Sequence, residues 1–224
     1  MSKVALVTGA SAGLGVEFAK QLSARGHRLV LAARRLDRLE ALARQVGNAR
    51  AVAIDLSEPG AAERLVADCD AAGEVIDLNI GALTDLCRLV APRMAERKSG
   101  AILNVASTAA FQAGPKMAVY FASKAYVLSF TEALHEEMKP LGVKVSALCP
   151  GPTRTEFGEV AGFGEDSRFD RIAMSAQKVV RQGLDGLEAN KAVVITGALN
   201  KAGAWGTRFL PRSTLRRIAG ALKF

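Results

Sequence analysis

The chain is poor in the residues that build disulfide frameworks, metal cages, base-stacking platforms or membrane spans. Its three cysteines, Cys69, Cys87 and Cys149, lie too far apart for metal-ligand spacing, so no metal site is expected. Their odd number also argues against a disulfide framework, and a reducing cytoplasm fits best. Aromatic residues make up only 5% of the chain, and the basic residues are scattered. The net charge of +8 and pI of 9.7 therefore come without a stacking surface, and nucleic acid is not the expected partner. No apolar run approaches a membrane span, and MSKVALVTGA at the start has neither the length nor the cleavage site of a secretory signal. These lacks point to a soluble cytoplasmic protein. With 224 residues, half of them hydrophobic, the chain can bury one sizeable core but is short for two ordinary domains, so residues 1–224 are read as a single domain.

What is present alternates. VALVTGA (4–10) is an apolar run ending in glycine, and EFAKQLSARG (17–26) places Phe18, Ala19 and Leu22 at helical spacing. HRLVLAA (27–33) is followed by a helix carrying Leu36, Leu39 and Leu42 and closed by Gly47. ARAVAIDLS (49–57) supplies a third strand, and Ser57 with Pro59 opens a helix toward Cys69. AILNVAS (101–107) and VKVSALCPG (143–151) flank a long helical stretch ending near Met138, and KAVVITG (191–197) is a last strand. Strands alternating with helices of this length predict an α/β fold with a doubly wound parallel sheet covered on both faces. His27 and His135 are read as structural.

Two segments invite a nucleotide. TGASAGLG (8–15) sets Gly9, Gly13 and Gly15, with Ser11 and Leu14 between them, where the first strand turns into its helix. Glycine there lets the backbone turn sharply and approach a pyrophosphate at the positive helix end, although any tight strand-to-helix turn can use glycine. The second strand ends in Arg34 and Arg35 instead of an acidic residue that would bind a ribose 2′-hydroxyl. Two cations at a helix N-terminus cost ~0.3–1 kcal/mol each, which a bound anion offsets. The 2′-phosphate of NADP(H) is that anion, so NADP(H) is favoured over NAD(H); the alternative is that both side chains swing into solvent. Asp55 stands where a carboxylate can accept a hydrogen bond from adenine, or else caps a helix.

YFASK (120–124) puts Tyr120 and Lys124 at i and i+4, on one face of a helix. A neighbouring ammonium is expected to lower the phenol from its ordinary value near ~10 toward the working range. Ser107, at a strand end where an open α/β sheet places its ligands, can hold a substrate carbonyl beside the tyrosine. With T-G-x-x-x-G-x-G at Thr8–Gly15, Asp55-Leu56, Asn79 in DLNIGAL, Ser107, Y-x-x-x-K and PGPTRT at 150–155, the chain resembles the short-chain dehydrogenase/reductases. These motifs span most of the chain. The resemblance implies a Rossmann-like fold and reversible hydride transfer between a nicotinamide and an alcohol or carbonyl. It implies Tyr120 as general acid/base, Lys124 on the nicotinamide ribose, Ser107 orienting the substrate and Asn79 completing a proton relay. Pro150, Gly151, Thr153 and Thr155 would meet the nicotinamide end. Homo-oligomerisation is implied as well.

One departure stands out. The family has a further strand, closed by N-N-A-G, and a helix between the segment ending near Cys69 and D-x-N, and neither is present here. They amount to roughly 25 residues, so Val75-Ile76 reads as a join with a helix beginning beyond it. A rival reading makes EVIDLNIGA a shortened strand, with Asn79 and Gly81 imitating the missing turn. Loss of a central strand leaves buried backbone groups unpaired at ~1–3 kcal/mol each, which several such groups raise beyond a domain's ~5–15 kcal/mol stability. The energetics favour a natural chain that carries an additional segment at the join.

FGEVAGFGEDSRFD (157–170) is read as the centre of a lid over residues 156–175, with Phe157 and Phe163 hinting at an apolar substrate and ordinary loop packing as the alternative. No acidic residue follows Glu188, and residues 200–224 form a basic tail in which Leu215, Ile218 and Leu222 share a helical face. That stripe is short for a membrane anchor, so docking on its own domain or a sister subunit is expected, with peripheral membrane contact the alternative. The expected function is an NAD(P)-dependent oxidoreductase acting on a small alcohol or carbonyl. A non-catalytic nucleotide-binding protein is the alternative, and a sugar epimerase is disfavoured for want of a substrate domain.

Overall fold

The structure is a computed structural model that describes residues 4–58, 61, 65, 77–155 and 173–221. The chain divides into two compact units. The first comprises Met1–Leu89, Arg154–Gly162 and Ala176–Arg181, the second Val90–Thr153, Phe163–Ser175 and Gln182–Phe224.

The first unit holds β1 (Val4–Thr8), α1 (Gly13–Ala24), β2 (Arg28–Ala33), α2 (Leu36–Val46) and β3 (Ala49–Ala53). The three strands form a parallel sheet in the order β1-β2-β3, with Val4 opposite Arg28 and Leu29 opposite Ala49. α1 begins at Gly13, four residues before the predicted start, so two of the three turn glycines belong to its first turn. On α2 the leucine stripe turns inward at Leu39 and Leu42, and Gly47 closes the helix at φ +62°. Ala32, Val52, Ile54, Leu56, Ala61, Leu65 and Ala82 form one apolar cluster of this unit.

β1 departs from expectation. Its apolar run reads as a strand buried on both faces, yet Val4 is 55% and Leu6 37% exposed. The physical reason is the ladder: among the described residues β1 pairs with β2 alone and is an edge. Residues 77–82 form a π-helical turn that runs into α3 (Leu83–Glu96), so DLNIGA is helical and the shortened-strand alternative fails over this stretch. Residues 71–76, and the predicted helix toward Cys69 apart from Ala61 and Leu65, lie outside the described residues.

The second unit holds β4 (Gly100–Val105), α4 (Ala118–Met138), β5 (Val143–Cys149), the first residue of the short strand β6 (Thr153–Arg154), the short strand β7 (Met174–Ser175), and β8 (Val193–Ile195). α5 (Ala176–Glu188) spans the residues where the two units divide. β4, β5 and β8 form a second parallel sheet in that order. β5 is its middle strand and is buried at every residue except Lys144. α4 buries Val127, Thr131, His135 and Met138 along one stripe, and its polar members are satisfied. Asn104 Nδ2 donates to Thr131 Oγ1 at 3.0 Å, and His135 Nδ1 lies 2.6 Å from the Val145 carbonyl, which gives that histidine a structural partner. The chain ends in α6 (Ala198–Gly206), a 3₁₀ turn at Thr207–Phe209 and α7 (Arg212–Ala221). No helix among the described residues is long and apolar enough to cross a membrane. The predicted lid over 156–175 lies outside the described residues except for 173–175.

Candidate active site

In the first unit the glycine turn is a backbone cradle. Gly9 and Gly13 adopt φ of +65° and +53°, a conformation a side chain would strain. A Cβ on Gly15 would collide with the Gly9 carbonyl, so strand end and helix start touch backbone to backbone. A Cβ on Gly13 would press on Thr155 Cβ at 3.2 Å, which places that predicted cofactor contact beside the cradle. Ala12 caps α1 without a side-chain bond and the first turn holds no acid, so the helix's leading N–H groups and positive end face no carboxylate of its own. This arrangement fits a pyrophosphate.

Arg34 and Arg35 are exposed where β2 gives way to α2. Arg35 reaches back to the cradle, its Nε 3.4 Å from Ser11 Oγ and its Nη2 3.5 Å from the Ser11 carbonyl. The swing into solvent is thus not what this arginine does. Asp55 follows β3 and accepts a hydrogen bond from Ser57 Oγ at 3.2 Å, and Leu56 beside it is buried. Asn79 sits in the π-helical turn of the same unit.

In the second unit, Ser107, Tyr120 and Lys124 converge at the C-terminal end of β4. The lysine and the tyrosine extend the buried stripe of α4 by one and two turns respectively, and so they face the sheet. Lys124 Nζ donates to the Val105 carbonyl at 3.0 Å and lies 5.9 Å from the Tyr120 ring centroid. Ser107 Oγ accepts from the Ala109 amide at 3.1 Å and is also hydrogen-bonded to the Tyr120 side chain. Pro150 accepts from the Thr108 amide at 2.8 Å, which ties the PGPT segment to the strand end that carries Ser107. Gly151 leaves no room for a side chain against Asn200, and Thr153 Oγ1 donates to the Gly151 carbonyl at 2.9 Å.

The electrostatics correct one expectation. Burial holds the Tyr120 phenol above its ordinary value, and the bond to Ser107 offsets only part of that rise. The lysine does not supply the predicted lowering, because burial pushes Lys124 itself down to about 8 and a backbone carbonyl takes its ammonium. Cys149 at the end of β5 is raised by burial to about 12 and is an inert thiol. Sequence reasoning missed the Val105 and Pro150 carbonyls and the Asn200 contact. Backbone groups carry no residue-specific signal, and Asn200 is 49 positions from the glycine it covers.

A glycine cradle at a strand-to-helix turn and a half-buried serine, tyrosine and lysine define a nucleotide-dependent enzyme of the parallel α/β class. The short chain dehydrogenase family profile matches residues 3–74 and 70–162. The chain belongs to the short chain dehydrogenase family, whose members are oxidoreductases. An uncharacterized oxidoreductase of Staphylococcus epidermidis is 31% identical over 196 positions, covering 75% of this chain and 85% of that one. Three-quarters of 224 residues is 168, so about 28 of those aligned positions have no residue in this chain. A short-chain dehydrogenase from Sphingobium yanoikuyae in complex with NADPH is 31% identical, with a TM-score of 0.77 over 100% of this chain and 99% of that one. A bulky-bulky ketone specific alcohol dehydrogenase from Comamonas testosteroni is 26% identical, with a TM-score of 0.72 over 99% and 97%.

Proposed function

We propose that the protein is an NADP-dependent reductase or dehydrogenase that interconverts an alcohol and a carbonyl, with Tyr120 as its general acid and base. The observation that carries this reading is the hydrogen-bonded pair of Ser107 and Tyr120 with Lys124 one turn along the same helix face. Gly9, Ser11, Gly13, Leu14 and Gly15 hold the pyrophosphate, Arg34 and Arg35 the 2′-phosphate, and Asp55 and Leu56 the adenine end. Lys124 binds the ribose, and Pro150, Gly151, Thr153 and Thr155 bind the nicotinamide. The reduced nicotinamide, when bound, supplies the hydride. Ser107 orients the carbonyl by a hydrogen bond to its oxygen. As that oxygen gains negative charge, Tyr120 delivers its phenolic proton to it, and in oxidation the phenolate takes the proton back. Asn79 returns protons to the pair through water. A phenol held above its ordinary value is protonated at neutral pH, which suits it to donate in the reductive direction.

The NADPH complex of the Sphingobium relative supports the cofactor choice, and the ketone-specific relative supports a bulky ketone as substrate. Tyr120→Phe is expected to lower kcat by about 10²–10⁴-fold while NADPH still binds, followed by nucleotide fluorescence. Full activity in that variant removes the tyrosine from the mechanism. Arg35→Ala is expected to weaken NADPH by about 10- to 150-fold and leave NADH almost unchanged, since a charge-assisted bond to phosphate contributes ~1.5–3 kcal/mol. Equal losses for both nucleotides would assign Arg35 to the Ser11 contact instead.

A second reading, a nucleotide-binding protein without catalysis, is favoured by one observation: β1 is an edge among the described residues where a doubly wound sheet has its centre. It predicts no hydride transfer across a broad carbonyl panel even with NADPH bound.

A further inference from the structure

We propose that the surface formed by α6, the turn after it and α7 docks on an anionic lipid bilayer. On α7 the structure buries Leu215 and Ala219 and leaves Ile218 49% exposed. The helix is therefore seated on its own unit about a face centred between 215 and 219, not on the predicted stripe through 218. Leu222 lies outside the described residues. A Cβ on Gly220 would meet Pro115 at 3.4 Å, which marks the neighbour α7 rests against.

The apolar side chains left uncovered lie just before and along it. Leu199 is 82% exposed, Trp205 60%, Phe209 80% and Leu210 43%. With Ile218 they make up half of the large hydrophobic side chains exposed among the described residues, gathered within twenty positions. Beside them stand Lys201, Arg208, Arg212, Arg216 and Arg217, all exposed, in a stretch where no acidic residue follows Glu188. Arg208 lies over the Trp205 ring at 5.3 Å, so a cation and an aromatic ring share one site.

Charge decides the occupant. In a two-fold contact with a second copy, each of these cations would approach its own equivalents, and like charges so placed repel. An anionic bilayer reverses that sign. Arginine heads meet phosphate oxygens while indole, phenyl and leucine side chains enter the headgroup boundary, the combination that holds interfacial helices. The surface needs no folding on contact, because Leu215 and Ala219 already hold α7 in place.

Trp205 is the sole tryptophan and so reports its own environment. The full-length protein is titrated with vesicles of phosphatidylglycerol and phosphatidylcholine in equal parts, and with phosphatidylcholine alone. The expected result is a blue shift of Trp205 emission, quenching by lipids brominated in the acyl chain, and co-sedimentation that falls roughly tenfold or more from low to high salt. Phosphatidylcholine alone is expected to bind at least roughly tenfold more weakly. The double variant Arg212→Gln, Arg216→Gln is expected to weaken partition by about an order of magnitude with unchanged circular dichroism. Should that variant unfold, the salt and lipid dependence of the unaltered chain decides. Absence of a blue shift with anionic vesicles, or equal binding to both lipids, overturns the proposal. A blue shift that grows with protein concentration without lipid, together with a larger sedimenting species, assigns the surface to a second copy.

Discussion

Lys124 is held on the end of β4 by a hydrogen bond from its Nζ to the Val105 carbonyl. Folding takes its ammonium out of water and gives back one carbonyl, so its folded pKa falls to about 8 from an ordinary 10.5. Between those values the unfolded chain holds more protons than the folded one, so this group makes stability rise with pH across that window. Below pH 8 the burial penalty is present in full. Lys124→Met is therefore expected to raise the thermal midpoint at neutral pH while abolishing turnover. The gain should shrink as pH climbs from 8 toward 10.5, which a series of melting curves reads directly. A midpoint lowered at every pH would mean that the bond to Val105 outweighs desolvation.

The same residues show how far a sequence reading reaches at this scale. The i, i+4 spacing of Tyr120 and Lys124 was legible because a helix has a fixed period. The direction of the tyrosine's shift was not. It is the difference between burial, which raises it, and hydrogen bonding from Ser107, which lowers it, and both depend on what surrounds the ring.

Among the elements, two helical glycines with opposite surroundings separate cradle from ornament. Gly15, in the first turn of α1, lies against the backbone of Gly9 and Ala10, where an added Cβ would come 2.9 Å from Ala10 Cα. Backbone cannot give way as a flexible side chain can. Gly15→Ala is expected to cost about 1–3 kcal/mol and to weaken NADPH binding. Gly203, in the exposed middle of α6, has nothing within 4 Å of an added Cβ. Gly203→Ala is expected to stabilise by about 0.5–1 kcal/mol through helix propensity alone. Chemical denaturation of both variants checks the contrast, and equal effects would mean that the close approach at Gly15 relaxes without cost. The pattern T-G-x-x-x-G-x-G pointed to the cradle, but the helix start at Gly13 and the contact with Thr155 emerged only once the turn was packed.

At the scale of the whole molecule stands the join at Val75-Ile76. Three observations bear on it. β1 is an edge among the described residues, with Val4 and Leu6 exposed, the family profile matches in two stretches that meet at residues 70–74, and the Staphylococcus relative has about 28 aligned positions with no counterpart here. They support the reading that the natural chain carries a further strand and helix at this place. The test is mass spectrometry of a tryptic digest. On that reading longer peptides replace the one from Leu65 to Arg88. Its recovery at the mass of the printed sequence would make the join covalent and shift the balance to the non-catalytic reading. The single domain over residues 1–224 is likewise a proposal, and one cooperative melting transition is expected of it.

The sequence by itself determined the elements and the chemistry they carry. Helical and strand periodicities are local, and glycine, serine, tyrosine and lysine bring their backbone freedom or titrating groups wherever they stand. Only the tertiary structure decided which groups those side chains meet. Val105 takes the lysine, Ser107 takes the phenol, Ser11 takes Arg35, and Leu215 with Ala219 seat the last helix while Trp205 and Phe209 stay outside. Each of these outcomes sets burial against hydrogen bonding or charge between residues distant in the chain, and no periodicity encodes that balance.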